Sequence, residues 1–192
     1  MLALDFPGAQ RLIDTLDAAL GAGDVPAITD ALRRTLCRTI REHEVQLPAS
    51  VFEAFPDHYG RRELYRSERH GYSVVAMTWG PGQGTPIHDH AGMWCVEGVW
   101  HGALEITQYE LLAQADGRCR FQPVGSIEAG PGSAGSLIPP HEYHSIRNPS
   151  ADGIAVSLHI YAGCMTRCAV FEPEDDHWYR HGERTLGLDR LH

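Results

Sequence analysis

Two histidines separated by one residue, His88 and His90, end the glycine-containing stretch GQGTPIHDH. Residues i and i+2 of a β-strand point to the same face, so two imidazoles at this spacing can converge on one metal ion. The pair alone is weak evidence, because H-x-H also occurs among ordinary surface and core residues. A thiol, Cys95, follows at the place where a metal site often has a carboxylate. Metal binding is therefore the first chemistry to consider, and the thiol needs an explanation.

A third candidate ligand comes from the segment SLIPPHEYHSIRN, which contains both His141 and His144. The local sequence leaves open which of the two would bind. A site of three neutral imidazoles without a carboxylate would leave the charge of a divalent metal uncompensated and would favour an anionic ligand. Imidazole suits iron, zinc, copper or nickel, so the residue types do not select one metal.

The run GIAVSLHIY has the alternation of a β-strand. Its apolar residues Ile154, Val156, Leu158 and Ile160 share one face, and Ala155, Ser157, His159 and Tyr161 share the other. The pattern alone is typical of a half-buried strand with its polar side in solvent. If that side faces the inside of a barrel, Ser157, His159 and Tyr161 would form a polar relay, because buried Tyr and His side chains need hydrogen-bond partners.

The elements that must position these residues fall into two groups. The first 55 or so residues are helical in pattern: RLIDTLDAAL is followed by a helix with Asp24 as its N-cap and Pro26 in its first turn, and a short third helix is predicted from Ser50. From about Tyr59, short β-branched and aromatic runs alternate with glycine and proline turns, which predicts an all-β barrel or sandwich. We expect one domain over residues 1–192: a helical lead-in (1–57) packed on a single β-barrel (58–171), and a polar tail on the surface (172–192).

Composition excludes several classes of function. The formal net charge is −9, which is opposite to the basic patch of a nucleic-acid-binding protein. The sequence has no long apolar run that could span a membrane. The first residues lack a basic leader, and the five cysteines are odd in number and scattered. We therefore expect reduced thiols in a cytoplasmic protein, and we expect a monomer.

Two segments resemble the motifs of the cupin superfamily. Residues 82–102 have the pattern G-x5-H-x-H-x4-C-x6-G, which is similar to the first cupin motif with cysteine in place of a metal-binding glutamate. Residues 139–148 are similar to the second, and this spacing favours His144 over His141 as the third ligand. The combination of HDHAGMWC, HSIRN and AVSLHIY resembles the cysteine dioxygenase type I family of cupin thiol dioxygenases.

This resemblance implies a jelly-roll fold and an Fe(II) site formed by His88, His90 and His144. It implies that both atoms of O2 are added to the sulfur of L-cysteine to give cysteine sulfinate, without a further cosubstrate. In that family the cysteine after the second histidine is joined by a thioether bond to the tyrosine of the last strand. Here these residues are Cys95 and Tyr161, which explains the thiol. The resemblance also implies that Tyr161 is oriented by His159 and, behind it, Ser157.

The family's substrate anchor is a Tyr-x-Arg sequence before the first long strand, and here it corresponds to Tyr59 and Arg61. An ungapped count back from His88 instead reaches Arg62, so the anchor depends on one residue of loop length. Cys168 also matches a cysteine near the family's site.

Two other functions stay open. A related branch acts on 3-mercaptopropionate, but it carries glutamine at the arginine position and lacks the cysteine, so both differences favour L-cysteine. A non-catalytic, metal-binding cupin is the other. The chain departs from animal members after Tyr161, where Ala162 and Gly163 replace Ser-Pro-Pro, and this departure bears on substrate preference.

Overall fold

The computed structural model describes residues 5–191, and these form two α-helices, one 3-10 helix and eleven strands. The helical elements are α1 (Ala9–Leu20), α2 (Val25–Glu42) and the 3-10 helix (Ala49–Phe52). The strands are β1 (Gly60–Ser67), β2 (Tyr72–Trp79), β3 (Ile87–His88), β4 (Cys95–His101), β5 (Leu104–Ala115), β6 (Arg118–Ala129), β7 (Ala134–Leu137), β8 (His144–Arg147), β9 (Ala155–Tyr161), β10 (Arg167–Pro173) and β11 (Trp178–Thr185). None of the helices in this range is long and apolar enough to cross a membrane.

Helix α2 begins as its sequence predicts. The Asp24 side chain accepts a hydrogen bond from the backbone N–H of Ala27 at 3.0 Å, which satisfies one of the free amides of the first turn. The helix ends at His43, whose φ of 54° is left-handed. Its apolar side, which includes Leu32, Leu36 and Ile40, is buried in the same core cluster as the outer face of β9. The segment predicted as a third helix from Ser50 is a single 3-10 turn instead.

The strands form two sheets that face each other. One sheet has five strands in the order β1-β2-β9-β4-β7, and the other has six in the order β10-β11-β6-β5-β8-β3, with β3 pairing in turn with β10. A shared apolar core fills the space between the sheets, with Met77 and Trp79 from one and Leu104 and Ile146 from the other. The mainly-β fold with N-terminal helices is as predicted. The predicted single barrel is better described as a two-sheet sandwich of jelly-roll type, because the strand pairings do not join all eleven strands into one closed barrel.

Strand β9 separates the helical layer from the interior. Val156, Leu158 and Ile160 pack with the helices, while Ala155 and Tyr161 belong to the core between the sheets. The alternation predicted for this strand is therefore present, and both of its faces are buried. The polar side of β9 faces the space between the sheets and not solvent.

The C-terminal segment differs from the prediction. Residues 172–192 were expected to form a surface tail, but Trp178–Thr185 forms β11, which pairs with β10 along its length and with β6 at Trp178–Arg180. The sequence of this strand is polar and does not alternate between apolar and polar residues. This composition is consistent with its position, since much of the strand is exposed. Backbone hydrogen bonds to two neighbours hold it in the sheet without a buried apolar face.

Candidate active site

Three histidines meet between the two sheets. His88 on β3 lies directly opposite His144 on β8 in an antiparallel pair, and His90 follows on the loop after β3. One ring nitrogen from each of the three lies within 4.8 Å of the others. The rings of His88 and His144 are 4.3 Å apart between centroids, and those of His90 and His144 are 5.1 Å apart. His141, the alternative third ligand, is exposed and lies outside this cluster.

Backbone carbonyls fix two of these rings in the tautomer that a metal ligand requires. Nδ1 of His144 lies 2.8 Å from the carbonyl oxygen of Glu142, and Nδ1 of His88 lies 3.2 Å from that of Pro86. Since a carbonyl only accepts, each Nδ1 carries the proton and each Nε2 presents a lone pair. Burial, aided by the neighbouring His144, lowers the pKa of His88 to about 3, so its ring stays neutral.

The cluster fits a bound divalent metal. Nε2 of His144 and Nδ1 of His90 are buried and make no hydrogen bond within residues 5–191, and a buried polar atom without a partner is costly. Burial also lowers the pKa of His90 well below its usual value. Neutral imidazoles that converge in a buried pocket are ligands that iron, zinc, copper or nickel accept.

Cys95 and Tyr161 are direct neighbours beside this cluster. They lie opposite each other in the antiparallel pair of β4 and β9, which brings side chains on the same face to within about 4.5–5.5 Å between Cβ atoms. Both are buried, and the ring centroid of Tyr161 lies 5.8 Å from that of His90. Burial raises the pKa of the Cys95 thiol and of the Tyr161 phenol well above their usual values, so both are neutral.

Ser157 and His159 line the same interior face of β9, but the relay differs from the predicted one. Ser157 Oγ lies 2.8 Å from Nε2 of His159. The other ring nitrogen, Nδ1, faces Glu97 Oε2 at 3.4 Å. Both nitrogens thus face groups other than the Tyr161 hydroxyl, and the His159 ring stacks on the Tyr161 ring at 5.9 Å between centroids.

Glu97 is a site residue that the sequence analysis missed. Its side chain is buried, and Oε2 lies 3.7 Å from Nε2 of His144. The site therefore contains a carboxylate, contrary to the expectation of uncharged ligands alone. Burial opposes ionisation of Glu97, but positive charge on the adjacent His144 and His159, once those rings are protonated in acid, lowers its pKa to about 2. Its position two residues after Cys95 on one strand was the available signal, since such residues share a face.

A cavity next to the histidines contains the predicted substrate-binding residues. Its walls include Tyr59, Arg61, His88, Tyr161 and Cys168. Tyr59 is stacked on Trp79 at 4.7 Å. Burial raises the pKa of the Cys168 thiol to about 11, so this thiol is protonated at neutral pH. Arg184 of β11 also lines the cavity, and the sequence analysis missed it because β11 was not expected.

The two arginines of β1 lie on opposite faces of the strand. Arg61 is buried and donates from Nη1 to the carbonyl of Gly187 at 2.8 Å, while its Nε makes no hydrogen bond to any residue that the structure describes. Arg62 is outside the cavity. It donates to Thr78 Oγ1 at 3.0 Å and to the carbonyl of Glu53 at 2.8 Å, and it lies over the ring of Phe55. Arg61, and not Arg62, is therefore the guanidinium beside the histidine cluster.

Comparisons with known proteins identify the family of this chain. The profile of the family described as cysteine dioxygenase type I matches residues 50–174. Cysteine dioxygenase type 1 of Danio rerio is 25% identical over 142 residues, covering 70% of each chain. The Homo sapiens protein of that name is 24% identical over 156 residues, covering 72% of this chain and 73% of its own.

Solved structures with a similar backbone are more distant. A Klebsiella pneumoniae protein with a double-stranded β-helix domain aligns with a TM-score of 0.46 at 17% identity, covering 65% of this chain and 93% of that one. An RmlC-like cupin protein from Desulfovibrio desulfuricans aligns with a TM-score of 0.44 at 18% identity, covering 62% and 96%.

The family profile spans the histidine cluster, the Cys95–Tyr161 pair and the cavity with Arg61, and it covers well over half of the chain. The chain belongs to the cysteine dioxygenase type I family.

Proposed function

We propose that this protein is an Fe(II) enzyme that oxidises L-cysteine to cysteine sulfinate. Membership of the family makes it a thiol-oxidising oxygenase, and the proposal adds the substrate, the metal and the roles of the residues. The observation that carries it is the adjacency of a buried guanidinium and a buried three-histidine cluster. Arg61 and His88 line the same cavity, so a small molecule held by its carboxylate can present a thiol to the metal.

His88, His90 and His144 would hold the iron. In His88 and His144 a backbone carbonyl fixes the proton on Nδ1, so the lone pair of Nε2 is available to the metal. When bound, the iron supplies Lewis acidity that favours the thiolate and the redox chemistry that activates dioxygen. The reaction consumes one thiolate and one O2, and both oxygen atoms end on sulfur, so the four electrons that O2 accepts come from the sulfur atom.

Arg61 would bind the substrate carboxylate. It uses Nη1 and Nη2 to donate to the carbonyls of Gly187 and Met165, which fixes the guanidinium plane. Its buried Nε–H has no partner among the described residues and would be available to an anion. Hydrogen bonds between a guanidinium and a carboxylate are charge-assisted and directional, so they would also orient the substrate. Tyr59 and Cys168 would complete the wall beside the carboxylate.

Tyr161 would donate a hydrogen bond toward the reacting sulfur and oxygen atoms. Its burial keeps the phenol protonated, which a donor requires. We propose that a thioether bond between Cys95 and Tyr161 holds the ring in place, which their opposite positions on β4 and β9 support. His159 and Ser157 would support the ring from the other side by stacking and hydrogen bonding.

The protein is proposed to act as a monomer in the cytoplasm, where its five free cysteines would stay reduced. Neither the oligomeric state nor the cellular location affects the chemistry of the site. The substrates would be a small thiol and O2.

Oxygen uptake by the iron-loaded protein tests the proposal. L-Cysteine, 3-mercaptopropionate and cysteamine should be compared in parallel. We expect L-cysteine to have the highest kcat/KM and cysteamine, which lacks the carboxylate, the lowest, and we expect sulfinate to account for the oxygen consumed. A higher kcat/KM for 3-mercaptopropionate would replace the proposed substrate. Absence of thiol-dependent uptake with full iron content would refute the proposed reaction.

A further inference from the structure

Glu97 lies beside the catalytic groups and has no part in the function proposed above. It is on β4, its side chain is buried, and Oε2 makes no hydrogen bond of normal length in the described part of the chain. A buried carboxylate without a donor is costly, so its surroundings must supply one. Two ring nitrogens face it, Nδ1 of His159 at 3.4 Å and Nε2 of His144 at 3.7 Å.

While both rings are neutral, only one of these two nitrogens can donate a proton to Glu97. His144 uses its Nδ1 to donate to the carbonyl of Glu142 at 2.8 Å. Its Nε2 is therefore a lone pair when the ring is neutral, and a lone pair cannot satisfy a carboxylate. His159 is the remaining donor, provided that its proton is on Nδ1.

The other side of His159 favours that tautomer. The indole Nε1–H of Trp79 donates to Ser157 Oγ at 2.9 Å, and an indole nitrogen can only donate. Ser157 thus accepts from Trp79 and has its own proton available for Nε2 of His159, at 2.8 Å. If Nε2 were protonated instead, the lone pair of Nδ1 would face the Glu97 carboxylate, and both groups would be acceptors.

We propose that Glu97 is a positioning residue that holds His159 in its Nδ1–H tautomer. The result is one directed chain of hydrogen bonds, from Trp79 through Ser157 and His159 to the Glu97 carboxylate. Each of these four side chains is buried, so water does not compete for the bonds.

This chain of hydrogen bonds also constrains Tyr161. The ring of His159 stacks on Tyr161 with an angle of 21° between the planes, so a fixed His159 also fixes one face of the tyrosine. Glu97 in addition places a negative charge near His144, on a site otherwise built from neutral rings. The pairing of a carboxylate with a histidine next to a metal centre is a general way to fix ring orientation.

Nitrogen-15 NMR of histidine-labelled protein tests the tautomer directly. The protein is loaded with zinc, which is diamagnetic and suits imidazole ligands, and the signals of His159 are assigned with the His159→Gln variant. We expect Nδ1 of His159 to show the shift of a protonated ring nitrogen and Nε2 that of an unprotonated one. The opposite pattern would overturn the inference.

Two substitutions separate the carboxylate's charge from its ability to accept. In Glu97→Leu no acceptor faces Nδ1, and we expect the His159 proton to move to Nε2. In Glu97→Gln the amide oxygen can still accept, so the Nδ1–H tautomer should persist. Glu105→Gln, an exposed residue of β5 paired with Arg147, is the matched control and should leave the His159 signals unchanged. A tautomer that is identical in the parent and in Glu97→Leu would mean that Glu97 does not position His159.

Metal binding and kinetics complete the test. If Glu97 were itself a ligand, Glu97→Leu would lose zinc affinity while His159 kept its tautomer, and that result would also overturn the inference. In the iron-loaded enzyme we expect Glu97→Leu to lower kcat about 10- to 100-fold, the usual effect of removing a partner outside the ligand set, and Glu97→Gln to recover part of the loss. We expect KM for L-cysteine to change little. This kinetic arm rests on the proposed function, whereas the NMR result is independent of it, so the two can fail separately.

Discussion

At the residue scale, the assignment of the third ligand depends on one pair of histidines. His144 is buried with a free Nε2 in the cluster, while His141 is exposed. We expect His144→Ala to lose most of its metal, because two imidazoles cannot replace three. His141→Ala is the control and should keep it. Metal analysis of the purified variants measures both, and retention by His144→Ala with loss from His141→Ala would reverse the assignment.

The two neighbouring arginines should separate substrate binding from stability. Arg61→Ala removes the proposed carboxylate anchor, and hydrogen bonds to charged groups contribute about 1.5–3 kcal/mol each, so KM for L-cysteine should rise roughly 10- to 100-fold. Iron content should not change. Arg62→Ala instead breaks buried bonds to Thr78 and the carbonyl of Glu53, so it should lower the melting temperature and leave KM near that of the parent. Steady-state kinetics and thermal unfolding of both variants measure these effects. A raised KM in Arg62→Ala with an unchanged KM in Arg61→Ala would contradict the assignment.

Cys95 provides a test of the proposed thioether bond. Forming the bond removes two hydrogen atoms, so intact-mass spectrometry of the parent should show a species lighter by that mass. Cys95→Ser should lack the lighter species. Its activity should fall but persist, because the three histidines remain. A single mass that matches the uncross-linked chain, after exposure to substrate and oxygen, would contradict the bond.

The sequence predicted most of the site because spacing on a strand determines direction. His88, His90 and His144 were identified from motif spacing, and the inner face of β9 from its alternation. The Tyr-x-Arg motif assigned Arg61, but the sequence left Arg62 open, because consecutive residues of a strand face opposite sides and one residue of loop length exchanges them. Glu97 was missed because a charged residue in a strand more often faces solvent, and only tertiary packing shows that both faces of β4 are covered.

At the element scale, the C-terminal segment was the largest error and has a testable role. The strand β11 carries no apolar alternation, so periodicity could not identify it. After it, the chain turns back to β1: the carbonyl of Gly187 accepts from Arg61, and Asp189 Oδ2 accepts from the backbone N–H of Arg61 at 2.8 Å. The segment 187–189 thus holds Arg61 at two points, the guanidinium through Gly187 and the backbone through Asp189.

Two truncations test this contact. A chain that ends at Leu186 loses both acceptors, whereas one that ends at Asp189 keeps them. We expect the shorter chain to have a raised KM for L-cysteine, because Arg61 is no longer fixed, and unchanged iron content, because no ligand is affected. The longer chain is the control and should match the parent in both. Equal KM values for the two truncations would show that the segment does not position Arg61.

At the scale of the whole molecule, the burial of the histidines couples folding to pH. Burial lowers the pKa of His88 to about 3 and that of His159 to about 4, while an unfolded histidine titrates near a pKa of about 6.5. Below that value the unfolded chain binds protons that the folded chain resists, so the free energy of unfolding must fall as pH falls. Each such histidine contributes up to about 1.4 kcal/mol per pH unit between its unfolded and folded pKa values. Glu97, whose folded pKa is about 2, adds no slope until the pH approaches about 4.3, where a carboxyl of the unfolded chain titrates.

Urea unfolding of the metal-free protein at pH 7.5, 6.5 and 5.5, chosen to bracket an ordinary histidine pKa of about 6.5, tests this coupling. We expect similar stability at the two higher pH values and a clear loss at the lowest, because the buried rings stay neutral while the unfolded chain becomes protonated. His159→Gln removes one of the buried rings and should lessen the loss. Bound metal requires neutral imidazoles and stabilises only the folded chain, so loading with zinc should raise stability most at the higher pH values and progressively less as protons compete. A metal-free protein whose stability does not change over this range would mean that the histidines accept protons within the fold, and that the site between the two sheets admits water.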